Sequence, residues 1–461
     1  MIPMAEKSSS ARVILVLCLC GTAAALQQTI LVPLLPQLPR LLGTTAANAS
    51  WLVTVTLLSG AVATPVITRL ADLHGKRRML LTALAAMMIG AVIGSVFPTL
   101  IGAIVARALQ GMGLALIPTA IATLRDELPP HRVSLGISLM SATMAIGAGL
   151  GMPLSGLIAS QLPWQAIFWV TGLTAAVMAV LVFTTVRPGR AYARGSFDWP
   201  GTALLSAALV AGLLVLSKGP SWGFLTPTTL ILLVGTAVLL AIWIPVELRR
   251  PSPLVDLRTA SRPAVLMANT ASVLLGLAMM TNMLTTSLVL QAPRESGYGL
   301  GLDLLTTGLW MAPTAIAFGA TAPVSSLMLN SIGAQTTLLI GASVMALGFW
   351  TRALTGQQLW QVVLASTVIG VGTSLTFAAM PALVMASVPL SETASANGLN
   401  TLLRSVGTSC GSALLAAFTT ATALPGAAVP SRFGAEAVLV IAGCAAALAA
   451  VLAFLMRRLR S

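Results

Sequence analysis

Apolar runs of about 20 residues, separated by short polar breaks, dominate the chain from near its start to its end. That is the length needed to cross a bilayer's hydrocarbon core. The pattern predicts spans at 12–35, 49–68, 79–97, 99–122, 135–160, 165–186, 199–217, 227–247, 263–290, 304–327, 335–352, 359–387, 395–418 and 434–456. No water is available there to pair backbone groups, so each run must be helical. The runs are too long and too uniformly apolar for barrel strands, which alternate over about 10 residues. About fourteen spans, an even number, put both termini on one side.

The basic residues say which side. One set of breaks, from Lys7 and Arg12 through Arg69, Lys76, Arg77 and Arg78 to Arg457, Arg458 and Arg460, carries 18 Lys and Arg. The alternate set carries 5: Arg40, Lys218, Arg294, Arg352 and Arg432. The richer set is cytoplasmic by the positive-inside rule, and both termini with it. The expected location is a bacterial cytoplasmic (inner) membrane, and the sequon at Asn48 is a chance match.

Composition supports this picture and narrows it. The chain is 57% hydrophobic and only 8% charged, whereas a soluble domain needs about a quarter of its residues charged. The net charge of +14 reflects topology, not nucleic-acid binding, because it is spread over short loops with few aromatics. No loop exceeds roughly 15 residues, too short to bury a core. Cys18, Cys20, Cys410 and Cys444 all fall inside spans, with neither a disulfide framework nor a metal pair. The apolar stretch after Lys7 and Arg12 continues to about Leu35 with no clean small-residue cleavage site, so it reads as a retained first helix. There is no HExxH, Ser/His pair or carboxylate cluster for an enzyme. There is also no GxxxxGK loop for ATP. No cofactor or metal is expected, and the driving force is an ion or solute gradient.

The chain also repeats. Shifted by 258 positions, Ala61-Val-Ala-Thr-Pro65-Val66 falls on Gly319-Ala-Thr-Ala-Pro323-Val324, and Gly75 on Gly333. Two six-helix bundles follow, at 1–186 and 263–461, with two inserted helices at 187–262. Parallel repeats around a midplane site are how several secondary transporters are built. In the second copy Asn330 stands opposite Asp72, and Ala334-Gln335-Thr336 opposite Lys76-Arg77-Arg78.

Several motifs are distinctive. Thr68-Arg-Leu-Ala-Asp72-Leu-His-Gly75-Lys-Arg-Arg78 resembles the cytoplasmic loop signature of the major facilitator superfamily. Arg107-Ala-Leu-Gln110-Gly111-Met-Gly113 is similar to the R-x-x-Q-G-x-G run of its drug exporters. Gly147-Ala-Gly149-Leu-Gly151-Met-Pro153-Leu-Ser-Gly156 is similar to the glycine-proline motif associated with antiporters. Phe197-Asp198-Trp199-Pro-Gly201 fits the fourteen-helix drug:proton antiporter branch. The resemblance covers nearly the whole chain. It implies an all-α membrane fold, alternating access, and a monomer in the lipid bilayer that expels a small-molecule substrate, coupled to protons. It also implies that Asp72 and Arg77 act in the inward gate, and Arg107 with Gln110 in proton exchange. Gly147, Gly149, Gly151, Pro153 and Gly156 would seal helix packing. For Arg77 and Arg78, plain topogenesis is an equal reading. For Arg107, a structural or snorkelling role stands beside the functional one, since a mid-span Arg costs about 2.5–3.5 kcal/mol of insertion.

The sequence departs from the branch at its first helix. The usual acid is replaced by Gln27, in Leu26-Gln27-Gln28-Thr29, and Gln cannot titrate. All eleven acids lie in loops or within about a turn of a span's end, leaving Arg107 and Arg404 as the charged groups deep in spans. Coupling then falls to peripheral acids such as Asp72, Asp126, Glu295 or Asp303, to a proton carried by the substrate, or is absent. Asn397, Asn400 and Arg404 share one helical face, and Met279, Asn282 and Met283 make an adaptable wall of methionine and amide. With Gln27, Gln28, Thr29 and Arg107 they form the expected substrate site, alternatives being ordinary helix packing. The expected function is export of small amphipathic molecules, neutral, zwitterionic or anionic ahead of lipophilic dications. An importer or single-metabolite or lipid transporter of the same fold is the runner-up, and a non-transporting membrane sensor the reading from another class.

Overall fold

The computed structural model describes residues 4–31, 34, 38–188, 196–355, 358–422 and 430–458. These residues are overwhelmingly helical. The long helices are α1 (Met4–Thr29), α2 (Trp51–His74), α3 (Lys76–Val96) and α4 (Leu100–Glu127), followed by α5 (Pro130–Gln161), α6 (Ala166–Thr185), α7 (Trp199–Trp222) and α8 (Pro227–Arg249). Then come α9 (Pro263–Gln291), α10 (Leu304–Ala320 continued by Ala322–Ser331), α11 (Gly333–Leu354), α12 (Leu359–Ala386), α13 (Thr393–Ala421) and α14 (Arg432–Arg458). Among the described residues, 12 helices are long and apolar enough to cross a membrane. The long helices α5 and α13 are additional to these; α13 is diluted by its polar face of Asn397, Asn400 and Arg404.

Helix ends follow local chemistry. α5 starts five residues before the apolar run because Pro130 occupies its first turn, where a missing N–H costs nothing. α1 stops at Thr29 and is followed by two one-turn helices, Leu38–Leu41 and Ala46–Ala49, where the apolar pattern suggested a longer first span. Between α2 and α3 the chain turns on Gly75 at φ 97°, and between α10 and α11 on Gly333 at φ 81°. A side chain would be strained at both positions, so the repeat recurs in backbone conformation even where its charges are lost.

By internal contacts the chain divides into two units. The first comprises residues 1–210, 237–258 and 388–399, the second 211–236, 259–387 and 400–461. In the first unit α4 packs on α1, α2 and α3, while α6 packs on α1 and α3. In the second, α12 packs on α9, α10 and α11, and α14 on α9 and α11. The same five pairings thus occur twice. The central helices are the most enclosed, with 72% of the best apolar window of α12 buried against 11% for α8. On α3, Ile89, Val92 and Val96 are exposed, as are Leu173, Val177 and Val180 on α6. Their three- and four-residue spacing makes apolar outer stripes, suited to lipid and not to water.

Candidate functional site

The loop signature forms a polar cluster within the first unit. Asp72, in the last turn of α2, is buried, and its carboxylate accepts from the backbone N–H of Ala394 (3.2 Å) and Ser395 (2.8 Å) and from Ser395 Oγ (2.6 Å). These donors belong to the first turn of α13, where N–H groups lack helical partners and the helix dipole favours an anion. Close approach of the two helices makes this possible: a Cβ on Gly398 would overlap Thr68 Oγ1. Nearby, Lys76 Nζ donates to Asp126 Oδ2 (2.6 Å), and Arg125 Nη1 to Thr393 Oγ1 (2.9 Å). Arg77 turns away from Asp72. Its guanidinium lies 4.6 Å from the centre of the Phe183 ring and donates to the Phe183 carbonyl. Ser395, Thr393 and the Lys76–Asp126 pair escaped the sequence reading because their contacts span about 50 to 320 residues of chain.

Arg107 is buried in α4. Nη1 donates to the Gln27 carbonyl (3.1 Å) and to Gln110 Oε1 (3.2 Å), and Nε to the Leu52 carbonyl (3.4 Å). Gln110 Nε2 in turn donates to Thr171 Oγ1 on α6 (3.0 Å). One guanidinium and one amide therefore tie α4 to α1, α2 and α6. The glycines of the same motif are packing residues: a Cβ at Gly111 would overlap Ser59 Oγ. Around them α4 tightens into a 3₁₀ turn at Met112–Ala115, an irregularity that often marks a hinge. The Gln27 side chain is buried with neither Oε1 nor Nε2 hydrogen-bonded.

On α5, Gly147 and Gly151 are buried against α1, where a Cβ would overlap the Thr22 carbonyl and Thr29 Oγ1 respectively. Thr29 is thus engaged with Gly151, and its neighbour Gln28 is half-buried. The surroundings of Gly149, Pro153 and Gly156 lie outside the described residues, as do Arg190, Arg194 and Arg460.

The second unit holds two further buried guanidiniums. Arg352 lies inside α11 and not in a loop as its charge grouping implied. Its Nη1 donates to Thr286 Oγ1 (2.7 Å), Asn282 Oδ1 (3.1 Å) and Ser366 Oγ (3.2 Å), while Nε and Nη2 have no hydrogen-bond partner. Its closeness to the end of a span hid it in the sequence. Arg404 is buried with its guanidinium 4.5 Å from the centre of the Phe377 ring, a cation–π arrangement. Asn400 Nδ2 donates to Asn269 Oδ1 (3.1 Å) and Ser272 Oγ (2.6 Å) on α9. Met279 and Met283 are half-buried on α9. Asn397, counted with the first unit, is buried and donates to its own helix at the Thr393 carbonyl (3.0 Å). Among the described residues no carboxylate lies at ion-pair distance from Arg107, Arg352 or Arg404. No group of three or more metal-ligating side chains occurs among them either.

Known proteins resemble this chain in sequence and in fold. The family model "Major Facilitator Superfamily" matches residues 17–204 and 189–412. The chain is 26% identical over 384 residues to the multidrug resistance protein Stp of Mycobacterium tuberculosis, covering 83% of this chain and 70% of that protein. It is 26% identical over 402 residues to the tetracenomycin C resistance and export protein of Streptomyces glaucescens, covering 85% and 72%. The solved structure of the human organic anion transporter MFSD10 superposes with a TM-score of 0.70 at 14% identity, covering 96% of this chain and 99% of that one. At that identity the likeness shows the fold alone.

Proposed function

The chain belongs to the Major Facilitator Superfamily, a family of membrane transporters and not of enzymes, and we propose that it is a secondary efflux transporter of small amphipathic molecules whose recognition favours neutral, zwitterionic or anionic compounds. One observation carries the substrate preference: the guanidiniums of Arg69, Arg107, Arg352 and Arg404 are buried within helices and none has a carboxylate at ion-pair distance among the described residues. A lipophilic cation brought beside such a group loses its hydration and meets a like charge, whereas an anionic head group offsets the guanidinium's own desolvation. Gln27, standing where the fourteen-helix branch has an acid, adds an unpaired buried amide. It can hydrogen-bond a neutral ligand but cannot exchange a proton.

The export direction is supported by the Arg107–Gln110–Gly111–Gly113 run, by the tight α1–α5 glycine packing and by distant relatives named for drug or antibiotic efflux. All fourteen long helices cross the inner membrane in this reading, with both termini cytoplasmic, two bundles at 1–186 and 263–461, and α7 and α8 inserted between them. Transport proceeds by alternating access. Asp72 holds the start of α13 in one state and releases it in the other, without an ATP-driven step.

The test is growth protection of an efflux-deficient bacterium against a panel graded in charge. Wild type should protect against neutral and anionic members at least severalfold more than the empty vector, and Arg107→Ala should abolish that. Gln27→Asp, which restores an acid on α1, should shift protection toward cationic members. If wild type expels cationic dyes best, the buried guanidiniums do not set the substrate preference. If it instead raises uptake of the panel, the protein is an importer.

A further inference from the structure

The segment between α6 and α9 carries two acids that the efflux reading does not use. Asp198 immediately precedes α7 and caps it: Oδ1 accepts from Gly201 N (3.1 Å), and its carbonyl from Thr202 N (3.0 Å). Glu247 lies in the last turn of α8. The chain then doubles back through Pro251 and Pro253, and Glu247 Oε1 accepts from Val255 N (2.7 Å). Each carboxyl thus spends one oxygen on a backbone donor. The other two, Asp198 Oδ2 and Glu247 Oε2, have no donor and almost no exposure, their residues being 5% and 1% exposed. They converge on one point, since a Cβ built on Gly201 would overlap both. Glycine at this position is what allows the two acids to meet.

The described surroundings are mostly apolar. Leu205, Trp243, Leu254 and Val255 pack together here, with Leu399 from the start of α13 against them. The Trp243 indole N–H has no partner. Among the described residues, the charged neighbours come from the end of α8 and its return loop. Arg250 Nε sits 3.4 Å from Asp198 Oδ1 on a side chain 43% exposed, which weakens it by solvent screening. Arg249 is the adjacent residue. Arg258 donates to the Leu248 carbonyl (3.2 Å), and Asp256 Oδ1 accepts from Arg258 N (2.9 Å). Two carboxylate oxygens facing each other without donors in an apolar site repel when both are charged, and a single proton between them would relieve that repulsion.

We propose that Asp198 and Glu247 form a single proton-binding site, with one proton held between Oδ2 and Oε2, that clasps the start of α7 to the return loop of α8. The exchange is a simple protonation: the dianionic pair takes one H⁺ from water to become a monoanion, and the clasp loosens when that proton leaves. The pair is independent of the direction and substrate of transport.

The test uses the full-length protein in nanodiscs. A native state that binds one more proton than the unfolded chain near neutrality loses stability as pH rises. The thermal midpoint of wild type should therefore fall from about pH 6 to about pH 9, with a slope component worth one proton. Asp198→Asn and Glu247→Gln replace the shared proton with a permanent amide donor and should remove that component. Infrared difference spectra of wild type minus either variant near neutral pH should contain one protonated-carboxyl carbonyl band, a readout independent of how stable the variants are. The proposal is overturned if wild-type and variant slopes coincide, if no such band appears, or if the wild-type midpoint tracks sodium concentration at fixed pH in place of pH.

Discussion

Arg107 and Arg352 solve one problem in two ways. Laying Gly111 and Gly113 of α4 on Gly370 and Gly372 of α12 brings Arg107 onto Ser366. Ser366 is the residue that, with Thr286 and Asn282, receives the Arg352 guanidinium. Each unit therefore buries a cation near the same point of its repeat, supplied by α4 in the first and by α11 in the second. The acceptors differ in kind. Arg107 leans on main-chain carbonyls of Gln27 and Leu52 and on Gln110 of its own helix. Arg352 depends on side chains, which substitution can remove. Each unit buries a guanidinium with a different carrier and support, and the first unit's depends less on side chains than the second's.

The sharpest way to break this comparison is at the glycines that let each central helix approach its neighbours. Gly111→Ala drives a methyl into Ser59 Oγ and the Thr56 carbonyl, whereas Gly370→Ala meets Thr314 Cγ2 at 2.8 Å and the Thr314 carbonyl at 3.2 Å. The first should cost about 3 kcal/mol or more and most of the folded protein, the second about 1 kcal/mol, read as thermal midpoints and fluorescence-detected chromatography profiles. Equal losses would mean the two close approaches are equivalent.

A smaller effect separates the guanidiniums. Asn282→Leu leaves Arg352 buried with one acceptor fewer and should cost about 1–3 kcal/mol. Gln110→Leu should cost less, because the carbonyls remain for Arg107. Arg352→Leu should be milder than Asn282→Leu, since Thr286 and Ser366 already hydrogen-bond each other at 2.7 Å and removing the charge removes its desolvation. Thermal midpoints of the three variants decide the order; a more damaging Arg352→Leu would mean that the charge itself holds the unit together.

The smallest effect concerns the loop after α2 and the loop after α10, where buried Asp72 has its repeat counterpart in exposed Asn330. Asp72→Asn keeps the shape but loses the charge facing the first turn of α13. It should cost about 1 kcal/mol and speed amide exchange at Ala394 and Ser395 severalfold, measured by hydrogen–deuterium exchange. Unchanged exchange would mean the contact does not hold that helix end. Asn330→Asp should leave exchange unaltered.

Much of this is legible in the sequence. Apolar run length determined where the long helices lie, because a bilayer leaves the backbone no alternative. The loop motif, the helix 4 run and the glycines of α5 pointed to the family and to Asp72 and Arg107, and the departure in the first helix pointed to Gln27. The turns at Gly75 and Gly333 were readable as a repeat. Tertiary structure alone decided what each polar group meets. Asp72 finds backbone N–H groups more than 300 residues away, Arg77 finds an aromatic ring in place of the acid, and Arg352 turns inward though it stands where a loop charge was expected. Asp198 and Glu247, each unremarkable at the end of an apolar run, become a facing pair. Hydropathy reports whether a segment can leave water. Which buried donor faces which acceptor depends on helix rotation and packing, and that information is spread over contacts between residues remote in the chain.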